Sequence, residues 1–282
     1  MNVPGRKTNI EVYHNTKTAL YPDGSSKTTI CSKAIFREHG YEEIKKSISF
    51  PEEKRTYNTD GNPRNDNLRR AVNSAFDIAA MNPFTHFLTV TINPKNDLGL
   101  DRTDSEEVGK RVKKWLDNRV QMWPGFLYLL LPELHKKGGI HCHALVAGLP
   151  SLLDSGTVIC PGFNKPVARA TARKHGHDPD TLRTVYNVPS WTLGHSTAIA
   201  LYGDSTNVAK YVTKYITKDA KKIFGNFYFA GGHGLKRKPP FVLSDSTFQD
   251  IDARVFEVKQ AGLSFKYINT PPVSLTDTSE AD

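Results

Sequence analysis

Residues 126–146 read FLYLLLPELHKKGGIHCHALV, two apolar runs separated by a short Lys/Gly-rich stretch. Apolar segments of this length around a glycine-containing connection are typical of two antiparallel strands joined by a hairpin. A turn over residues 136–138 would place Glu133 opposite His141, whereas a slip of one residue would send Glu133 to the other face of the sheet. The stretch therefore predicts the central hairpin of a sheet.

The segments on either side of this hairpin alternate between helix and strand patterns. The predicted elements are a helix over 68–81, a strand over 87–92, a helix that begins at Asp104, a strand over 197–201 and a helix over 208–218. Ser205-Thr206-Asn207 would cap the last helix, and residues 148–195 read as irregular. This order predicts an α+β fold with a central antiparallel sheet and helices packed on it.

The composition of the chain divides it into three segments. Residues 1–60 read as an extension of unknown role, residues 61–245 as the main domain, and residues 246–282 as a polar tail that we expect to be frayed.

The bulk properties favour a nucleic-acid partner. The formal net charge of +9 and the pI near 9.3 favour a polyanion. No apolar run approaches the roughly 20 residues that a spanning helix requires, which argues against a membrane. The three cysteines are scattered and lack a CxxC pair, so a reducing cytoplasm is the expected setting. No small-molecule cofactor is indicated.

His141 and His143 form the first candidate site. In a strand, residues two apart point to the same face, so both imidazoles would converge while Cys142 points into the apolar side. Imidazole suits several divalent metals, and Glu133 is the candidate third ligand, with His135 as the alternative. Packing or hydrogen bonding by the two histidines is the competing interpretation.

Two other sets of histidines have weaker claims. His175 and His177 have the same spacing but lie in a polar segment, and His195 stands alone, so structural or surface roles are expected for them. The basic cluster from Lys165 to His177 either contacts DNA or is merely solvated.

Tyr211 and Tyr215 form the second candidate site. At a spacing of four residues they share one face of a helix. The same spacing puts Lys210, Lys214 and Lys218 on an adjacent face, and Val208, Val212 and Ile216 on a buried one. An ordinary amphipathic helix with packed tyrosines is the competing interpretation.

The two candidate sites together fit one chemistry. A tyrosine hydroxyl, with a pKa of about 10, is mostly protonated at neutral pH, and nearby lysine charge favours its ionisation. A metal on a phosphodiester makes the phosphorus more electrophilic. Attack by tyrosine would form a covalent phosphotyrosine ester that conserves the energy of the phosphodiester.

Several motifs also resemble a known family. Residues 132–146 look like the central His-hydrophobic-His motif of HUH endonucleases, and residues 87–92 are similar to their first strand motif. Residues 211–218 (YVTKYITK) resemble the two-tyrosine helix motif of rolling-circle replication initiators from small single-stranded DNA phages and related plasmids. Residues 231–236 (GGHGLK) are similar to a segment that follows that helix. The chain thus resembles a two-tyrosine initiator of the HUH superfamily.

This resemblance implies a ferredoxin/RRM-like HUH nuclease fold and a metal-dependent DNA endonuclease and strand transferase. His141, His143 and Glu133 would hold Mg²⁺ or Mn²⁺. The expected substrate is single-stranded or hairpin origin DNA.

The resemblance also implies that Tyr211 and Tyr215 act in turn, the first nicking the origin and the second ending the round. Lys214 and Lys218 match the lysine of the family's YxxK pattern. A DNA polymerase would extend the freed 3′ hydroxyl. A host helicase would unwind the duplex, because the sequence has no GxxxxGK[ST] loop.

Other functions remain compatible with the motifs. A conjugative relaxase or an HUH transposase would share the chemistry, although a relaxase places its tyrosine before the histidines and such a transposase commonly carries a zinc-binding region. A non-enzymatic single-stranded-DNA-binding protein would use the tyrosines only for stacking.

Overall fold

The computed structural model describes residues 12–38, 65–93, 99–135, 138–219, 222–258 and 262–272. Contacts divide the chain into two compact units, residues 57–238 and residues 1–56 together with 239–282. The division predicted at residues 60 and 245 stays a prediction. Among the described residues no helix is long and apolar enough to cross a membrane.

The elements in chain order begin and end in the terminal unit. Its first strands are β1 (Tyr13–His14), β2 (Thr16–Leu20), β3 (Ser26–Cys31) and β4 (Phe36–Arg37). The larger unit contains α1 (Asn65–Met81), β5 (His86–Ile92), α2 (Ser105–Met122), β6 (Leu127–Leu134), β7 (Ile140–Ala147), β8 (Leu153–Ile159), β9 (Val167–Ala168), α3 (Arg169–Lys174), β10 (Arg183–Asn187), β11 (Gly194–Ala200), α4 (Ser205–Asp219) and β12 (Phe229–Gly231). The chain returns to the terminal unit with β13 (Phe241–Ser244), β14 (Val255–Val258) and β15 (Leu263–Thr270).

The larger unit is built on an eight-stranded sheet in the order β12-β6-β7-β5-β11-β10-β8-β9. Every neighbouring pair in it is antiparallel. The predicted fold class, α+β with a central antiparallel sheet and packed helices, is confirmed and is consistent with an HUH/RRM-like fold.

Helices cover both faces of this sheet. On one face, α2 packs its buried side chains against the strand residues that alternate inward, and Cys142 lies in this core as predicted. On the other face, α4 contacts β6 and β7, and α1 packs against α4 and β6. Because His141 and His143 alternate with Cys142, both imidazoles lie on the α4 side.

The predicted hairpin register is confirmed. Glu133 pairs with His141, and the amide of His135 donates to the carbonyl of Gly139 over 2.8 Å. Directly opposed residues of antiparallel strands share a face, so Glu133 lies on the histidine side of the sheet. The turn residues 136 and 137 lie outside the described residues.

The prediction that residues 148–195 are irregular is wrong. They contain β8, β9, α3 and β10, which extend the sheet beyond β11. The pairing of β8 with β10 shifts register between Val185 and Tyr186, and Gly156 within β8 has a positive φ of 73°. These irregularities interrupt the alternation that marks a strand in the sequence.

The start predicted for the last helix is also wrong by one turn. Helix α4 begins at Ser205, and the carboxylate of Asp204 accepts from the amide of Asn207 over 2.7 Å. Asp204, rather than the Ser-Thr-Asn run, therefore satisfies the first amides of the helix.

The terminal unit carries a five-stranded antiparallel sheet in the order β13-β2-β3-β15-β14. Residues 263–270, which we expected in a frayed tail, form β15 and pair along the whole of β3. Their partner lies more than two hundred residues away in sequence, so no local signal could have shown the pairing. Residues 273–282 of the predicted tail lie outside the described residues.

A buried asparagine fastens the segment 231–236 to helix α1. The Asn82 amide donates to the carbonyls of Ile78 and Lys236, each over 2.7 Å, and its oxygen accepts from the Lys236 amide over 2.9 Å. Gly232 allows the close approach of this segment, because a Cβ there would lie 2.2 Å from the Phe126 carbonyl oxygen. Asn82 thus replaces a missing helix-terminal partner.

The Asn82→Ala substitution should lower the free energy of unfolding by about 2 kcal/mol, because it leaves buried backbone groups without partners. Urea denaturation measures the loss. The control is Met122→Ala at an exposed position, where about 0.5 kcal/mol or less is expected. Equal losses in the two variants would contradict this role of Asn82.

Candidate active site

The two histidines of β7 are held by threonines of the neighbouring strand β5. His141 Nδ1 lies 3.1 Å from the Thr91 hydroxyl, and His143 Nδ1 lies 3.1 Å from the Thr89 hydroxyl. Each threonine is directly opposite its histidine in the β5–β7 register. These contacts fix the ring orientation and direct each Nε2 away from β5.

Glu133 of β6 joins the histidines to helix α4. Its Oε2 lies 2.6 Å from His143 Nε2, and its Oε1 accepts a hydrogen bond from the Lys218 ammonium. Only 8% of Glu133 is exposed. Burial acts to raise the pKa of this carboxyl, but the Lys218 and His143 contacts outweigh it, and the pKa is lowered. Glu133 is therefore a carboxylate at neutral pH.

Burial sets the protonation of the histidines. It lowers the pKa of His143 despite the opposing charge of Glu133, and it lowers the pKa of His141 with a further contribution from His135. Both rings therefore favour the neutral form, which is the form that coordinates a metal.

The two tyrosines of α4 meet directly above His143. Their hydroxyl oxygens are 3.0 Å apart, and the Tyr215 ring stacks on the His143 ring with a centroid distance of 4.2 Å. Tyr211 is 50% exposed. Burial, and next the hydrogen bond with Tyr211, raise the pKa of Tyr215, so its hydroxyl is protonated at neutral pH.

Phe87 of β5 is a site residue that the sequence analysis missed. Its ring centroid lies 5.7 Å from that of His143, 5.6 Å from that of Tyr211 and 6.0 Å from that of Tyr215. Alternation along β5 puts Phe87 on the same face as Thr89 and Thr91. That alternation was the signal in the sequence that could have identified all three residues.

The two predicted lysines reach different parts of this cluster. Lys218 binds Glu133, whereas the Lys214 ammonium lies 5.9 Å from the centre of the Tyr211 ring. The fold thus brings every predicted site residue of β6, β7 and α4 to one surface. Their catalytic and metal-binding roles remain predictions.

The other histidines take different positions. His175 lies at the C-terminal cap of α3 against Phe163, and His177 follows it, so this pair is separate from the cluster. The His135 ring lies 4.9 Å from that of His141. His195 is exposed on β11 directly opposite Thr91, so it shares the histidine face of the sheet.

The donors for a divalent ion have suitable chemistry, but another cation contacts them. Two imidazoles and a carboxylate from adjacent strands suit Mg²⁺ or Mn²⁺ in type. In the described residues no three His, Cys, Asp or Glu side chains are arranged to hold a metal ion, and the Glu133 oxygens contact Lys218 and His143. Lys218 supplies the positive charge that a bound ion would bring.

Residues 85–220 match the family model of Replication-associated protein ORF2/gene 2 protein. The matched segment runs from the residue before β5 to just beyond α4 and contains the whole cluster. No curated protein and no solved structure matches the chain. The family match supports a replication-initiator family and a role in DNA replication.

The lowered histidine pKa values predict a pH-dependent stability. Unfolded histidines, with a pKa of about 6.5, bind protons as the pH falls, whereas folded His143 binds them only at lower pH. Stability is therefore full above about pH 6.5 and decreases below it. Urea denaturation at about pH 7.5 and about pH 5.5 should show this decrease, and His143→Gln should show less of it.

The matched control for this measurement is His175→Gln, which removes an exposed imidazole. A reduction in pH dependence as large in this variant as in His143→Gln would contradict the assignment to His143.

Proposed function

We propose that this chain is a two-tyrosine replication initiator of the HUH type, which nicks and rejoins origin DNA by tyrosine attack. The observation that carries the proposal is the stacking of Tyr215 on His143, with the Tyr211 hydroxyl 3.0 Å from that of Tyr215. Two potential nucleophiles and a His/His/Glu cluster then face the same phosphate.

The reaction exchanges one phosphodiester for another. A tyrosine oxygen bonds to the phosphorus of the scissile phosphate, and the bond from phosphorus to the 3′ oxygen breaks. The 5′ phosphate stays on the tyrosine, and the departing 3′ oxygen takes up a proton in place of the one that the phenol loses. No water is consumed, so the ester can be attacked again and the ends rejoined.

The accessibility of the two hydroxyls differs. Tyr211 is half exposed, so an incoming strand reaches it first, whereas Tyr215 lies on His143 with a raised pKa. We therefore assign the first cleavage to Tyr211. Tyr215 would attack in the second step, when the regenerated origin passes the site.

The lysines of α4 neutralise the phosphate in this scheme. Lys214 lies beside Tyr211, and its charge favours the phenolate form of that residue as well as the binding of DNA. Lys218 contributes on the other side, where it already contacts Glu133.

The metal site is proposed on the donor set of the two strands. His141, His143 and Glu133 would hold Mg²⁺ or Mn²⁺, which as a Lewis acid would make the phosphorus more electrophilic. Glu133 would exchange its contact with Lys218 for this ion. The Lys218 ammonium would then turn to the phosphate. The threonines of β5 would keep the imidazoles oriented in either state.

The expected partners follow from the products. Single-stranded or hairpin origin DNA is the substrate, a DNA polymerase extends the 3′ hydroxyl, and a host helicase opens the duplex.

The double variant Tyr211→Phe/Tyr215→Phe should form no covalent adduct with an origin oligonucleotide in Mn²⁺, because both nucleophiles are lost. Each single variant should keep some nicking, with the larger decrease in initial rate for Tyr211→Phe. Denaturing gels of a 5′-blocked, internally labelled oligonucleotide measure adduct and cleavage separately.

Tyr202→Phe is the control, because Tyr202 is an exposed tyrosine outside α4. An adduct in the double variant would show that the nucleophile is another residue. Salt-sensitive DNA binding without nicking by the wild-type chain would support a non-enzymatic binder instead.

The His141→Ala/His143→Ala variant should lose cleavage in Mn²⁺ by two or more orders of magnitude but keep most of its DNA binding, because the lysines of α4 remain. Direct binding of Mn²⁺, followed by electron paramagnetic resonance, should fall in parallel. The matched control is His175→Ala/His177→Ala, which removes a pair with the same spacing. Wild-type cleavage by the His141/His143 variant would rule out the metal site.

A further inference from the structure

The terminal unit has a sheet face whose chemistry the proposed nicking reaction does not use. Register and alternation put one set of side chains of the five-stranded sheet on this face, which we call the aromatic face: Lys17, Ala19, Lys27, Thr29, Cys31, Phe241, Leu243, Phe256, Leu263, Phe265, Tyr267 and Asn269. Each of the five strands contributes an aromatic ring or a lysine at these positions.

The opposite face of the same sheet carries the unit's covered side. Ile30 and Thr16 are buried there. The Lys266 ammonium donates to the carbonyl oxygens of Phe248 at 2.7 Å and Ile251 at 2.5 Å, so the segment before β14 packs across that face. The aromatic face is the less covered of the two, with Phe241 at 49% and Tyr267 at 44% exposure.

The rings on the aromatic face are arranged in parallel and edge contacts. Phe265 and Tyr267 lie two residues apart on β15 with an angle of 11° between their planes, and their centroids are 6.4 Å apart. Phe256 of β14 contacts Tyr267 edge-on at 5.4 Å. Neighbouring π-faces on a sheet are the arrangement on which successive unpaired bases stack.

The charges on the aromatic face have one sign. The Lys17 ammonium lies 4.2 Å from the centre of the Phe241 ring, and the Arg254 guanidinium lies 5.2 Å from that of Phe256. Lys27 lies between β2 and β15 on the same face. Among the described strand residues of this sheet the acidic one, Glu257, pairs with Ser264 on the opposite face. Cations interleaved with aromatic rings complement phosphates interleaved with bases.

We propose that the aromatic face of the terminal unit binds single-stranded nucleic acid by stacking bases on Phe241, Tyr267 and their neighbours while Lys17 and Lys27 contact phosphates. The face is about 19 Å wide, from four strand spacings of roughly 4.8 Å, which accommodates several nucleotides. Small side chains at Ala19 and Thr29 lie between the rings of β13 and those of β15. Recognition by stacking tolerates any base sequence, so this binding is distinct from recognition of an origin.

The test uses the full chain with fluorescent oligothymidylate of roughly 12 nucleotides in EDTA, where no divalent ion supports cleavage. Phe241→Ala and Tyr267→Ala should each weaken binding on the order of 10-fold. Val242→Ala is the matched control, because Val242 is 53% exposed on the same strand but on the opposite face. Lys17→Gln should reduce the slope of log affinity against log salt by about 0.7.

Conservative variants separate stacking from folding. Phe241→Trp and Tyr267→Phe keep a ring and should keep the wild-type affinity, with unchanged circular dichroism. Oligouridylate is measured beside oligothymidylate, and tight binding of either supports the proposal and identifies the sugar that is preferred. Photocrosslinks of the bound oligomer should map to peptides that contain Phe241, Phe256 or Tyr267.

Crosslinks confined to residues 57–238, or alanine variants that bind as tightly as Val242→Ala, would overturn the proposal and assign the face to another kind of partner. The outcome is independent of the proposed nicking, because the Tyr211→Phe/Tyr215→Phe variant should bind oligothymidylate as the wild type does.

Discussion

The contact between Glu133 and His143, 2.6 Å from Oε2 to Nε2, joins two neighbouring strands at the point where α4 crosses them. It exists because β6 and β7 pair in one register, which puts Glu133 opposite His141 and on the histidine face. A shift of one residue would bury the imidazoles among the side chains of α2 and expose Cys142. The positions of the tyrosines depend on the same contact, since Tyr215 stacks on His143 and Lys218 reaches Glu133 from the same helix.

The electrostatics of this contact connect the helix to the chemistry. A carboxylate as buried as Glu133 requires a cationic or hydrogen-bonding partner, and here Lys218 and His143 provide both. In the proposed reaction a divalent ion takes over the role of Lys218, and the released ammonium gains a phosphate as its new partner. Metal and DNA would then each favour the state that the other needs, without any movement of the sheet.

The sequence was informative where the determining contacts are local. The hairpin register, the spacing of the tyrosines and the burial of Cys142 depend on neighbours within about ten residues, and the structure has them as predicted. Phe87 was missed because its role depends on α4, more than a hundred residues later. The β8–β10 pairing was hidden by a register shift, and β15 by the sequence distance to β3. Long-range pairing leaves no periodic signal beyond the strand's own alternation.

The two surfaces of the protein use aromatic rings and lysines for different ends. Around Tyr211 the rings stand beside two neutral imidazoles and an ionised carboxylate, so a phosphate held there meets a nucleophile and a metal-binding donor set. The aromatic face has rings and cations too, but its strand positions contribute no histidine and no carboxylate among the described residues. Tyr267 lies there without a base or a metal ligand from the sheet to activate it. Stacking and charge neutralisation are then the only chemistry available, which makes that face suited to holding a strand and not to cutting it.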